Sequence, residues 1–126
     1  MIKVITYGTF DTFHYGHFFL LERAKALGNH LSVCISTDEF NNKQKGKNAK
    51  LNFSERVRII KSLNFVDEIY SEESWDQKIL DIKNLKINVF AMGDDWDGKF
   101  DFLKNYCEVV YLPRTNDVSS TLIRGY

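Results

Sequence analysis

Lys3-Val4-Ile5-Thr6-Tyr7 is a short β-prone run ended by Gly8. Thr9-Phe10-Asp11-Thr12-Phe13-His14-Tyr15 then carries the chain to a second glycine, Gly16, where a helical pattern begins. From Gly16 to Leu27, residues Leu20, Leu21, Ala24 and Leu27 fall on one stripe. Glu22, Arg23 and Lys25 fall off it, and Gly28 closes the helix. A strand that passes through a glycine-bounded turn into a helix opens a βαβ unit. His30-Leu31-Ser32-Val33-Cys34-Ile35-Ser36 supplies the next strand.

The alternation continues along the chain. Residues 37–52 are polar and read as irregular. Asn52-Phe53-Ser54-Glu55 is a capping-box pattern that opens a helix to about Leu63. Val66 to Tyr70 reads as a strand. Ser74-Trp75-Asp76-Gln77 is a second capping-box pattern, opening a helix to about Asn84. Ile87 to Met92 is a strand ended by Gly93, Phe100 to Asn105 a short helix, and Cys107 to Leu112 a strand stopped by Pro113. Ser119 to Arg124 has the length of one or two helical turns. Nearly continuous apolar strands separated by helices predict a five-stranded parallel sheet covered on both faces, the Rossmann-like α/β class. With no repeat and no linker, residues 1–126 read as one domain. Such sheets take ligands at the carboxyl ends of their strands, where the strand order reverses.

Composition narrows the function classes. A chain of 126 residues buries roughly two thirds of its unfolded surface, enough for a core without disulfides. Seventeen basic and seventeen acidic side chains cancel, which removes the basic excess that coating a nucleic acid needs. No apolar run approaches the ~18 residues of a membrane span, and Met1 to Gly8 lacks the basic and apolar regions of a signal peptide. Cys34 and Cys107 lie in or beside apolar runs and read as reduced residues of a cytoplasmic protein.

Four polar clusters each follow a predicted strand. The first is Gly8 to His17. A helix N-terminus offers unpaired N–H groups and partial positive charge to an anion, and His14 and His17, three apart, can face one side of it. Imidazoles beside bare amides donate to phosphoryl oxygens as charge develops. As plain structure the same pair would cap the helix; as metal ligands it would need a third partner, and none is evident nearby. The second cluster, Lys43 to Lys50, has four lysines and no acid, read as a basic arm over a polyphosphate rather than a solvated loop. The third, Met92-Gly93-Asp94-Asp95-Trp96-Asp97-Gly98-Lys99, offers carboxylates to Mg²⁺, a base or a sugar, or is simply a capped turn. The fourth, Pro113 to Arg124, sets three hydroxyl residues, Ser119, Ser120 and Thr121, at a helix start with a forked cation, Arg114, ahead of them. Taken alone it is an N-cap and a surface arginine. No cysteine or serine has a base and an orienting group beside it, and neither Gly-x-Gly-x-x-Gly nor a Walker-type loop occurs. The residues point to positioned phosphate chemistry without a covalent intermediate, and they leave the nucleotide open.

Gly8-Thr9-Phe10-Asp11-x-x-His14-x-Gly16-His17, together with Arg114-Thr115-x-x-Val118-Ser119-Ser120-Thr121, resembles the His-x-Gly-His cytidylyltransferases. Within them, Ile35 to Asn41, Met92-Gly93-Asp94-Asp95-Trp96 and Val109 to Thr115 are similar to the glycerol-3-phosphate-specific family, over essentially the whole chain. The resemblance implies a reaction of CTP with sn-glycerol 3-phosphate to CDP-glycerol and pyrophosphate, with Mg²⁺ held mainly by the CTP phosphates. It implies nucleotide contacts from Thr9, Phe10, Asp11, His14, His17, Lys47, Asp94, Arg114, Thr115, Ser119, Ser120 and Thr121. It assigns catalysis to His14, His17, Lys45 and Arg114, and the acceptor side to Lys45, Trp75 and Lys78. No protein metal ligand is implied; a cytoplasmic homodimer serving teichoic-acid or capsule synthesis is.

Some positions depart from the family pattern. Asp117 replaces the glycine of Arg-Thr-x-Gly-Ile-Ser-Thr-Thr, Ser120 replaces a threonine, and Asn64 stands where arginine is usual. One extra residue falls between Lys43 and Asn52. Val118 to Arg124 is also similar to the Ile-Ser-Ser-Thr-x-Ile-Arg of adenylyltransferases, so an ATP-using member and a ribitol 5-phosphate acceptor are the rival expectations.

Overall fold

The computed structural model describes residues 1–46 and 48–113, with Lys45 by its backbone only. In chain order the elements are β1 (Lys3–Gly8), α1 (Tyr15–Ala26), β2 (His30–Ser36), α2 (Asp38–Lys45), α3 (Phe53–Lys61), β3 (Glu68–Glu72), α4 (Gln77–Asn84), β4 (Val89–Gly93) and β5 (Glu108–Leu112). Short 3₁₀ turns at Asp94–Trp96 and Asp101–Asn105 join the last two strands.

The strands form one parallel sheet in the order β3-β2-β1-β4-β5. Alternate residues of each strand face opposite sides. Val4, Val33, Ile35, Val89 and Ala91 pack with Leu21 and Ala24 of α1 and Ile60 of α3. Ile5, Tyr7, Cys34, Phe90 and Met92 pack with Ile82 of α4 and with Phe100 and Leu103. The sheet is therefore covered on both faces, as its apolar strands required. The strand order reverses between β1 and β4, which places the ligand crevice at the ends of those two strands.

Three sequence expectations are corrected. Residues 37–52 are not all irregular: Thr37 caps a two-turn helix by accepting from Phe40 N at 3.1 Å, with Asp38 and Glu39 in its first turn. Lys43 and Lys45 therefore sit on α2, not on a loop. Strand β3 begins at Glu68, two residues late, because the Asp67 carboxylate takes Leu31 N at 2.8 Å and Lys25 Nζ at 2.7 Å ahead of the regular ladder. Helix α4 begins at Gln77, and no side chain of Asp76 caps it. The Gln77 carboxamide instead reaches back to Glu73 N at 2.6 Å and Ser74 N at 3.1 Å. The capping box at Asn52 and Glu55 forms as expected, with both bonds present.

Candidate active site

The turn from β1 to α1 is bent through two non-glycine residues in the left-handed region, Phe10 at φ 55° and Thr12 at φ 43°. Such backbone costs on the order of 1 kcal/mol per residue and needs support. Part of that support is the Phe10 ring, which is buried in the core. It lies so close under Gly8 that a Cβ there would sit 2.9 Å from it. More comes from Asp11, whose carboxylate accepts from Lys50 N (2.8 Å), Leu51 N (3.0 Å) and Thr12 N (3.1 Å). Desolvation works to raise its pKa, but these amides outweigh it and hold the carboxyl below its ordinary value. Asp11 thus ties the turn to the segment before α3.

The two histidines form the capping box of α1. His14 is the N-cap, and its Nδ1 accepts from Gly16 N at 3.0 Å; His17 Nδ1 accepts from His14 N at 3.3 Å. A ring nitrogen that accepts from a backbone N–H carries no proton, so in each neutral ring the proton is on Nε2. The rings stack, 4.0 Å apart and 22° from parallel, so the two Nε2–H donors leave the turn side by side. Gly16 is required by this packing: a Cβ there would lie 2.7 Å from the His14 ring. Burial, and then the neighbouring His14, push the His17 pKa down to about 4 against the opposing pull of Asp11. His17 is therefore a neutral donor at neutral pH. The capping role and the donor role, alternatives in the sequence, are the same geometry.

Beneath the turn lies Arg56, fully buried. Its guanidinium donates to Leu51 O (3.0 Å), Thr9 O (2.9 Å), Ser36 O (2.8 Å) and Asp38 Oδ1 (2.7 Å). It joins the ends of β1 and β2 to the starts of α2 and α3. No motif marks it; its one signal is an arginine on the apolar stripe Phe53, Val57, Ile60 of an amphipathic helix. Above it, Ser36 Oγ donates to Thr9 Oγ1 at 3.0 Å, and Thr9 Oγ1 donates to Asn41 Oδ1 at 3.2 Å.

Beside Thr9 a cavity of about 190 Å³ opens at the strand ends. Tyr7, Trp75, Trp96 and Phe100 wall it, and Glu72 and Lys78 are its charged groups. Lys78 Nζ bonds Glu72 Oε2 at 2.8 Å and lies 4.7 Å from the Tyr7 ring centre and 5.0 Å from that of Trp75. Tyr7 is held in place by its hydroxyl, which donates to Asp81 at 2.7 Å. Trp75 also packs edge-on against Phe40 of α2. Asp94 is exposed on the 3₁₀ turn that follows β4. A larger cleft of about 490 Å³ between α3 and β3 holds none of these groups.

The structure therefore brings Thr9, Asp11, His14 and His17 together at one turn, and Trp75 with Lys78 at the neighbouring cavity. Lys45 ends α2. Lys47, Arg114, Thr115, Ser119, Ser120 and Thr121 lie outside the described residues. Among the described residues no group of three His, Cys, Asp or Glu side chains is placed to hold a metal ion. No helix among them is long and apolar enough to cross a membrane.

The cytidylyltransferase-like family model matches residues 5–126. Glycerol-3-phosphate cytidylyltransferase of Bacillus subtilis (strain 168) is 58% identical over 124 residues, 98% of this chain and 95% of that one. The protein of the same name from Staphylococcus aureus (strain NCTC 8325 / PS 47) is 47% identical over 98% of this chain and 93% of that one. Among solved structures, the lipopolysaccharide core biosynthesis protein of Thermoplasma volcanium GSS1 superposes with a TM-score of 0.74 at 24% identity. It covers 90% of this chain and 98% of its own, a likeness of fold. A family match that starts in β1 and runs through the last residue, joined to relatives sharing about half or more of all aligned positions, gives the conclusion that this chain belongs to the cytidylyltransferase-like family, in its glycerol-3-phosphate group.

Proposed function

We propose that the chain transfers the cytidylyl group of CTP to sn-glycerol 3-phosphate, giving CDP-glycerol and pyrophosphate. The observation that carries this is the stacked His14–His17 pair with both outer N–H groups free of the cap, in a chain 58% identical to a glycerol-3-phosphate cytidylyltransferase. A phosphate oxygen of the acceptor attacks the α-phosphorus in line, and the bond to the bridging oxygen of the pyrophosphate breaks. The chain's residues align the two anions and stabilise the charge that builds on the equatorial oxygens. His14 and His17 donate from Nε2 to those oxygens. Arg56 and Asp11 hold the turn that presents Thr9 and the helix amides. Asp94 faces the nucleoside side. By the resemblance, Lys47, Arg114, Thr115, Ser119, Ser120 and Thr121 take the triphosphate and ribose, and Lys45, Trp75 and Lys78 take the acceptor.

Mg²⁺ in this reading arrives with CTP, bound to its phosphate oxygens, since the described carboxylates form no cage for it. A second copy of the chain covers the aromatic face of α1, where Tyr15 stacks on Phe19 and Phe18 meets Phe65. The two free thiols, Cys34 and Cys107, suit a cytoplasmic setting, with CDP-glycerol passed to teichoic-acid or capsule synthesis.

The test is pyrophosphate release from each nucleoside triphosphate with glycerol 3-phosphate or ribitol 5-phosphate. Turnover is expected with CTP and glycerol 3-phosphate. Release with ATP alone, or with ribitol 5-phosphate alone, replaces this reading by the corresponding rival. His17→Ala is expected to lower kcat about 10²- to 10³-fold while leaving CTP affinity within a few-fold. Equal losses in rate and affinity would mark the histidines as anchors only.

A further inference from the structure

We propose that Glu72 reads a hydroxyl of the acceptor and makes the cavity beside Thr9 selective for a polyol phosphate over a phosphate ester that lacks that hydroxyl. The inference rests on the acceptor reading above and adds a specificity-determining residue to it. Glu72 is 2% exposed and closes the cavity from the end of β3. Among the described residues the cavity's other walls are aromatic rings, Met92, Gly8 and Thr9, and Glu72 and Lys78 are its charged groups.

Each of these ions is buried, and each is tolerable there only because the other is 2.8 Å away. That contact uses one carboxylate oxygen and one ammonium hydrogen. Among the described residues Glu72 Oε1 makes no hydrogen bond, and Lys78 Nζ makes no second one. A carboxylate only accepts and an ammonium only donates. A ligand that satisfies both must therefore present an acceptor to Lys78 and a donor to Glu72. A phosphate monoester of a polyol has both: an anionic oxygen at one end and O–H groups on its carbons. A second anion at Glu72 is repelled, which orients the ligand with its phosphate toward Lys78 and its hydroxyl toward Oε1. The rings of Tyr7, Trp75 and Phe100, which already surround Lys78 Nζ at 4.7 to 5.4 Å, offer apolar faces to its C–H groups. A site built to bond a hydroxyl rejects the analogue without it, because the bound analogue shuts water out and leaves the carboxylate oxygen unpaired.

The experiment compares kcat/KM of the full chain, with CTP, for sn-glycerol 3-phosphate and for 3-hydroxypropyl phosphate and propyl phosphate. For the wild type, removing the hydroxyls is expected to lower kcat/KM by about 100-fold or more. Glu72→Gln, which also takes the countercharge from Lys78, is expected to lower the glycerol 3-phosphate value by about 10- to 100-fold more than the propyl phosphate value, with KM for CTP unchanged. The discrimination then collapses. Equal losses for all acceptors, the mark of a structural role, overturn the proposal, as does discrimination kept at the wild-type level. Glu72→Asp keeps the charge beside Lys78 but withdraws the carboxylate by one carbon. It is expected to lose discrimination too, and retained discrimination in it counts against the proposal. A wild type that turns over glycerol 3-phosphate and propyl phosphate alike defeats the role of Glu72 alone. One that releases no pyrophosphate from CTP and glycerol 3-phosphate defeats the functional reading beneath it.

Discussion

His17 sits between two demands. Its inner nitrogen must stay unprotonated to receive His14 N, and in the proposed reaction its outer nitrogen donates. Its pKa of about 4, against 6.5 in an open chain, meets both over the whole neutral range. Because the folded value is the lower one, the unfolded chain binds the extra proton first as pH falls. The stability contribution is complete above about pH 6.5 and is lost progressively between there and about pH 4. Imidazole ¹⁵N shifts across a titration are expected to place His17 near 4, and kcat/KM to show no loss attributable to His17 until pH is well below 6. A midpoint at 6 to 7 for His17 would contradict the buried, neutral donor. At this scale the motif is legible in the amino-acid sequence, since residue type and a spacing of three already put both rings on one side of a helix start. Glu72 is not legible there, because its meaning comes from Lys78 six residues away and from rings contributed by β1 and the segment after β4.

Among elements, the ones that carry an apolar stripe or a capping signature declare themselves: β1, α1, β2, and α3 with its Asn52–Glu55 box. Helix α2 does not. Phe40 and Asn41 are its buried residues and the rest is polar, so no 3.6-residue periodicity marks it in the sequence. Its cap, Thr37, looks like any loop threonine until Phe40 N is found upon it. The lysine-rich stretch accordingly reads as a loop although its first part is helical. Beside the bonds of Asp11 and of Thr9 to Asn41, the buried guanidinium of Arg56 holds α2 and α3 against the β1 turn. Arg56→Met keeps bulk but leaves the carbonyls of Thr9, Ser36 and Leu51 without that donor, so a loss of about 3 kcal/mol is expected in urea unfolding. Arg56→Lys retains charge but not the fork, and is expected to recover less than half of it. A loss below about 1 kcal/mol in Arg56→Met would show that the elements are tied by packing instead.

For the whole molecule, alternation of strands and helices is enough to announce a parallel sheet. The order β3-β2-β1-β4-β5 is not contained in it, because that order depends on which edge each crossover returns to. It puts the ends of β1 and β4 side by side and makes a crevice of two distant chain segments. The outer face of α1 is an aromatic surface, with Tyr15 42% exposed beside the half-buried Phe18, Phe19 and Phe65. Phe19→Asp is expected to shift the mass seen by light scattering from two chains to one while leaving the fold intact. A wild type of single-chain mass at micromolar concentration removes the dimer from the account.

The imidazole pair is hydrogen-bonded to the backbone of its own first turn. In the proposed reaction, fraying of these four residues and disarmament of the chemistry are one event. The opening that lets solvent exchange the Gly16 amide also releases the His14 ring. In the proposed reaction, readiness for turnover thus depends on closure of the first turn of α1.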